Sequence, residues 1–200
     1  MNKAKLACLS AALAVSTLSM SKTTLDEVSW SEARAWQCAK SISIPTFKVT
    51  GEFKAKRPQA EYTRSFAAAL AESLKGSGRF ESVVLLEEGQ PPTTELVLEG
   101  DFMKLTTGSR AGRFWIGCGV GRSKCQVRII CYRVSDHAKV FELEHARLSA
   151  EGLKSDELQE NVEEVEADVS EVLIGAKQGC PDGQPPSPAA ASGALDPQHR

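Results

Sequence analysis

Aromatic residues make up only 6% of the 200-residue chain, too few for the rows of rings on which single-stranded nucleic acid stacks. An excess of one charge is also missing. Lys and Arg number 24 against 26 Asp and Glu, a formal net charge of −2, which excludes a protein that is basic overall. No Gly-x-Ser-x-Gly elbow, His-Glu-x-x-His helix or C-x₂-C knuckle occurs, so the usual signatures of a serine nucleophile, a catalytic zinc and a structural zinc are lacking. The apolar run near the start, Leu6 to Val15, is too short for a comfortable membrane span. What remains is an ordinary globular balance, 42% hydrophobic and 25% charged. That balance argues against disorder of the whole chain and suits one domain with tails.

The two ends read differently from the middle. Lys3 and Lys5 precede the apolar run, and Ser16-Thr17-Leu18-Ser19-Met20-Ser21 follows it with small residues. Positive, apolar and small in that order is the design of a secretory signal, expected over residues 1–21 with cleavage after Ser19 or Ser21. Export to the periplasm or cell envelope follows from it, with no transmembrane span left after cleavage. Lipidation is not expected: three places before Cys8 stands Lys5 instead of an apolar residue, and Cys38 follows Ala35-Trp36-Gln37. Residues 22–40, with Trp30 and Trp36, form a helical arm that docks on its own domain or on a partner. At the other end, the prolines, glycines and alanines of residues 179–200 cannot bury enough surface to offset ordering and read as a disordered tail.

The foldable domain is residues 41–178. Ser41 to Phe47 alternates as a half-buried strand, with Pro45 at an edge or an end. Tyr62, Phe66, Leu70 and Leu74 recur at helical spacing, and Gly76 and Gly78 supply a stop. Phe80–Leu86 and Leu96–Phe102 read as strands. Cys125, Val127, Ile129 and Cys131 share one face of another strand, and a hairpin through Val134–Lys139 returns along Val140–Glu144. Leu158, Val162, Val165, Val169 and Val172 mark a second helix, with Ser155 as N-cap and Gly175 as stop. The expected fold is a two-layer α/β sandwich. About five strands in a mainly antiparallel or mixed sheet carry two helices packed on one face.

This order of elements is carried by Gly78-Arg79-Phe80, Leu98-Glu99-Gly100-Asp101-Phe102 and the segment Gly108-Ser109-Arg110-Ala111-Gly112-Arg113-Phe114-Trp115-Ile116-Gly117-Cys118-Gly119-Val120-Gly121. It resembles the bacterial envelope family known as domain of unknown function 4410, over about residues 41–152. The resemblance implies export and a sandwich similar to accessory domains of envelope assembly proteins. Members often carry lipoprotein signals, from which this chain departs. No activity is implied, and no functional residues carry over.

Charge is unevenly placed. Between Phe102 and Ser135 stand Lys104, Arg110, Arg113, Arg122, Lys124, Arg128 and Arg133 and no acid, whereas residues 155–172 carry Asp and Glu and no base. The two segments either face each other or are solvated separately. Alternatively Arg110, Arg113 and Arg122 gather to receive an anionic envelope partner, for which guanidinium forks are suited. The glycine-rich run Gly117–Gly121 leads into a strand, so it does not fit a phosphate loop. No nucleic-acid partner and no cofactor are expected.

After signal removal Cys38, Cys118, Cys125, Cys131 and Cys180 remain, an odd set for an oxidising compartment. Cys125 and Cys131 lie on one strand about 20 Å apart and cannot pair; both are expected as small buried hydrophobes. Cys118 with Cys125, or Cys38 with Cys180, is sterically conceivable. His137 sits beside Asp136 in a turn and His145 on a strand, neither near a nucleophile in sequence. The expectation is a non-catalytic accessory or protein-interaction domain, with an anion- or small-ligand-binding module over 108–124 as the alternative.

Overall fold

A computed structural model describes residues 27–107, 123–148, 157–177 and 179–180. The elements in chain order are β1 (Glu27–Trp30), α1 (Ala33–Cys38), β2 (Ser41–Pro45), β3 (Lys48–Lys54), α2 (Gln59–Gly76), β4 (Ser82–Leu86), β5 (Leu96–Thr106), β6 (Lys124–Arg133), β7 (Lys139–Leu148) and α3 (Glu157–Ala176). The seven strands form one sheet, ordered β1-β7-β6-β5-β2-β4, with β3 also paired to β5. The long strands β5, β6 and β7 are antiparallel neighbours, whereas β2, β3 and β4 pair in parallel. The sheet is therefore mixed, in a two-layer α/β sandwich as expected.

The sequence patterns explain most of this. Tyr62, Phe66, Leu70 and Leu74 lie on one face of α2 and are all buried, with Ala67 and Ala71 between them. Full burial of a residue such as Phe66 or Leu70 contributes about 1.5–3 kcal/mol. The helix gives way at Gly78, whose φ of 64° suits a residue without a side chain. Cys125, Val127, Ile129 and Cys131 of β6 are fully buried on the helix side, while Gln126 and Arg128 point to the opposite, uncovered face. Leu158, Val162, Val165 and Val169 are buried along α3. That helix runs through Gly175 to Ala176 instead of stopping at the glycine, and Ser155 lies outside the described residues. Asn161 binds α3 to the start of β6 by donating to Ser123 Oγ at 2.7 Å.

Two strands exceed the expected five. Residues 27–30, within the arm, pair as β1 with β7, and α1 lays Trp36 in the core with no exposed surface. Residues 48–54 carry Lys48, Gly51 and Lys54, which hide any alternation, yet they pair as β3 with the second half of β5. β2 pairs with the first residues of β5, so β2 and β3 share one neighbour along its length. Between them Phe47 packs against Phe66 at 5.0 Å. Gly100 of β5 makes room for that ring, since a Cβ there would lie 2.1 Å from it.

Candidate functional site

The three arginines proposed from sequence, Arg110, Arg113 and Arg122, lie outside the described residues, as do Cys118 and the signal-like segment. Three described cations of the same basic segment are engaged by acids. Lys104 pairs with Glu52 at 2.8 Å, Arg128 with Glu142 and Glu144, and Arg133 with Glu32 and Asp136. None of these three reaches α3, so their basic charge does not face the acidic helix. On the uncovered face, Lys139 and Arg128 hold Glu142 below its ordinary pKa, and Glu142 in turn raises that of Arg128. Cross-strand pairing sets these residues together, because Arg128 stands opposite Glu144 in the β6–β7 ladder.

The acids of α3 meet β7 instead. Alternation on β7 turns His145 and Arg147 toward the helix side, beside Leu143. Arg147 donates from Nε to Asp168 Oδ2 at 2.7 Å and from Nη2 to Oδ1 at 3.0 Å, and from Nη1 to Glu164 at 3.0 Å. His145 Nε2 stands 2.8 Å from Asp168 Oδ2. Burial pushes the Asp168 carboxyl up, but the bonds from Arg147 and His145 prevail and hold it below its ordinary range. His145 is 2% exposed, and its Nδ1 is buried with no hydrogen-bond partner. This cluster fastens helix to sheet. Sequence reasoning missed it because His145 and Asp168 stand 23 residues apart and share no motif.

A second polar assembly closes the other end of α3. Lys177 is 4% exposed, and its Nζ donates to the carbonyls of Trp36 at 2.7 Å, Gln37 at 2.8 Å, and Ala39. These carbonyls belong to the last turn of α1 and the residues beside it, where helical geometry leaves acceptors unpaired. The ammonium also lies 4.6 Å from the centre of the Phe80 ring. Burial pushes its pKa down to about 8. Three residues further on, Cys180 is disulfide-bonded to Cys38. Cys125 and Cys131 are free and buried, as expected of small hydrophobes, and burial pushes the Cys125 thiol up to about 12. Of the two conceivable pairings, Cys38 with Cys180 forms and Cys118 with Cys125 does not, because β6 turns Cys125 into the core.

His137, read as a turn residue, occupies the β6–β7 connection with φ 55°. Its neighbour Asp136 binds Arg133 and the Ala138 N–H instead of orienting the imidazole. Among the described residues, no group of three or more His, Cys, Asp or Glu could hold a metal ion. No described helix is long and apolar enough to cross a membrane.

A mixed sheet with helices on one face, an uncovered charged face and a disulfide-closed end defines an α/β sandwich. The chain belongs to the family described as Domain of unknown function (DUF4410), which it matches over residues 15–141. The match begins earlier than the resemblance at residue 41 and takes in β1 and α1, which pack into the same core. Among solved structures, the fold is similar to that of the PelC dodecamer from Paraburkholderia phytofirmans. The TM-score is 0.53 at 16% identity, covering 74% of this chain and 96% of that one. The PelC L103M dodecamer from the same organism gives 0.51 at 17% identity, covering 76% and 98%. Protein XCC0632 from Xanthomonas campestris gives 0.48 at 12% identity, covering 70% and 84%. No curated protein matches the chain.

Proposed function

We propose that the chain is an exported protein of the periplasm or cell envelope, whose sandwich domain serves by binding another envelope component instead of catalysing a reaction. The observation that carries the location is the Cys38–Cys180 disulfide, which joins α1 to the end of α3 across 142 residues of sequence. Such bonds persist in oxidising compartments and are rare where cytosolic reductants keep thiols reduced. The signal-like order of charge, apolar run and small residues at positions 1–21 supports the same reading. The non-catalytic reading is supported by what the reactive side chains do. His145 is held against Asp168 in the helix–sheet interface, and the thiols of Cys125 and Cys131 are buried in the core.

Intact-mass spectrometry of the native protein after separating cytoplasm, periplasm and membranes tests this. The expected species is soluble, periplasmic, cleaved near Ser21 and oxidised at Cys38 and Cys180. A full-length reduced protein in the cytoplasm would overturn the location, and a membrane species with added acyl mass would show lipidation.

The alternative is an anion- or small-ligand-binding module using Arg110, Arg113 and Arg122. It is favoured by the way Lys104, Arg128 and Arg133 are already paired with acids, which withdraws those cations from anion reception. Replacing all three with Ser is expected to abolish recovery of an anionic envelope partner in pull-downs, and unchanged recovery would sink this reading.

A further inference from the structure

The sheet presents three outer edges, and they are finished differently. An edge strand carries unpaired N–H and C=O groups, and proteins blunt it by shortness, charge, bulges or cover. β1 is four residues long. β3 has a register irregularity between Val49 and Glu52 and carries Lys48, Glu52 and Lys54. There Glu52 is gripped by Lys104 and Lys54, which hold its pKa down to about 2. β4, five residues long, carries neither charge nor bulge. Ser82-Val83-Val84-Leu85-Leu86 also has no proline, and it pairs with β2 in unbroken register over all five residues. Among the described residues nothing pairs with its other side. Leu85 is 42% exposed, one of the few large apolar side chains so placed.

Charge marks one end of this edge. The strand runs into a tight turn, closed by the Gln90 N–H donating to the Glu87 carbonyl at 3.1 Å. Glu87 and Glu88 are exposed there and form no ion pair among the described residues. At the other end Glu81 is engaged by Lys40 at 3.0 Å. These acids also bear on which strand the edge would take. Antiparallel pairing of two β4 strands about Val84 would set Glu81 of one copy opposite Glu87 of the other, and like charges placed so are destabilising. A foreign strand with a basic end meets no such conflict.

We propose that the outer edge of β4 accepts an additional strand from a partner protein. That strand is an extended, β-branched segment with lysine or arginine beside Glu87 and Glu88. Main-chain hydrogen bonds along Ser82–Leu86 supply the affinity. Contact with Val83 and Leu85 on one face and Val84 on the other selects apolar side chains at alternate positions. The two glutamates orient the strand and speed its encounter. This deepens the reading of the chain as a binding domain and is independent of where the protein resides.

The test uses the full-length oxidised protein and a synthetic heptapeptide, Lys-Val-Thr-Val-Thr-Val-Lys, with a counterpart bearing Glu at both ends. Amide shifts and hydrogen exchange are followed by NMR. The basic peptide is expected to slow exchange across Ser82–Leu86, and the acidic one to leave it unchanged. Leu85→Lys, at an exposed site where the fold tolerates it, is expected to weaken binding about tenfold. Glu87→Gln with Glu88→Gln is expected to weaken it about threefold and to remove its salt dependence. Failure of the basic peptide to perturb β4, or equal binding by the Leu85→Lys protein, would overturn the proposal. So would concentration-dependent dimers that Leu85→Lys abolishes, which would assign the edge to a second copy. A failed titration alongside periplasmic fractionation sinks the edge alone and leaves the location standing.

Discussion

Two parts of the sheet's periphery are finished in opposite ways. Where α1 ends, every device is spent inward. Lys177 answers three backbone carbonyls, Trp36 Nε1 donates to the Leu173 carbonyl at 3.2 Å, and Cys38–Cys180 secures the junction. Along the outer side of β4, nothing among the described residues answers the backbone. The difference follows from solvent. Buried carbonyls must find donors within the protein because an unsatisfied one costs about 1–3 kcal/mol, whereas an edge strand in water remains solvated until another strand arrives. The clamped junction is therefore the place to look for stability, and the bare edge the place to look for association.

Breaking the junction should have the largest effects. Trp36→Ala removes a ring that meets Phe80 and Phe141, each at 5.2 Å. It is expected to cost about 3–5 kcal/mol, read from urea unfolding. Replacing Cys38 and Cys180 together by Ser should cost roughly 2–4 kcal/mol, and adding reductant to the native protein should reproduce the loss. An unchanged urea midpoint would mean that packing and the bonds of Lys177 and Trp36 hold the junction without the disulfide.

The helix–sheet cluster should come next. Asp168→Asn breaks the paired bonds from Arg147 and the contact with His145, a loss of about 2–3 kcal/mol at pH 7. Because the Asp168 carboxyl is held below its ordinary 3.8 in the folded protein, its contribution is present above 3.8 and fades as pH falls through the lower folded value. Acid titrations of native and variant proteins should therefore converge below pH 3.8.

Lys177→Met should cost about 1–2 kcal/mol near neutrality, and its pH dependence sharpens the comparison further. The unfolded lysine titrates near 10.5 and the folded one at about 8. Between these values the unfolded chain binds more protons, so the native protein gains stability as pH rises across that window. The gap between native and Lys177→Met proteins should widen from pH 8 to 10.5, measured by denaturant melts at several pH values. At the bare edge, Leu85→Lys should change stability by less than about 0.5 kcal/mol while weakening strand capture. A large stability loss there would mean that β4 is part of the clamped core after all.

Much of the fold was legible because burial imposes a period. Phe66, Leu70 and Leu74 betray α2, and Cys125 to Cys131 betray β6, since one face of each must be apolar. β3 was not legible. Lys48, Gly51 and Lys54 show no apolar period because the strand lies at an edge and is largely exposed. β1 was hidden by its shortness, and the arm's docking by the fact that Trp36 finds Phe141 and Phe80 only through the fold. Of the candidate site, the sequence showed the charge segregation but not its partners. Arg128 meets Glu142 across a hairpin, and Arg147 meets Asp168 across the two layers.

The sequence by itself determined the two-layer class, the apolar faces of α2, β6 and α3, and the impossibility of a Cys125–Cys131 bond. Those depend on local periodicity and chain geometry. Tertiary structure alone decided that Cys38 pairs with Cys180, that Lys177 caps α1, and that β4 is the edge left without charge or bulge. Each of those depends on which distant segments become neighbours once the apolar faces close on one another, and no local pattern records that.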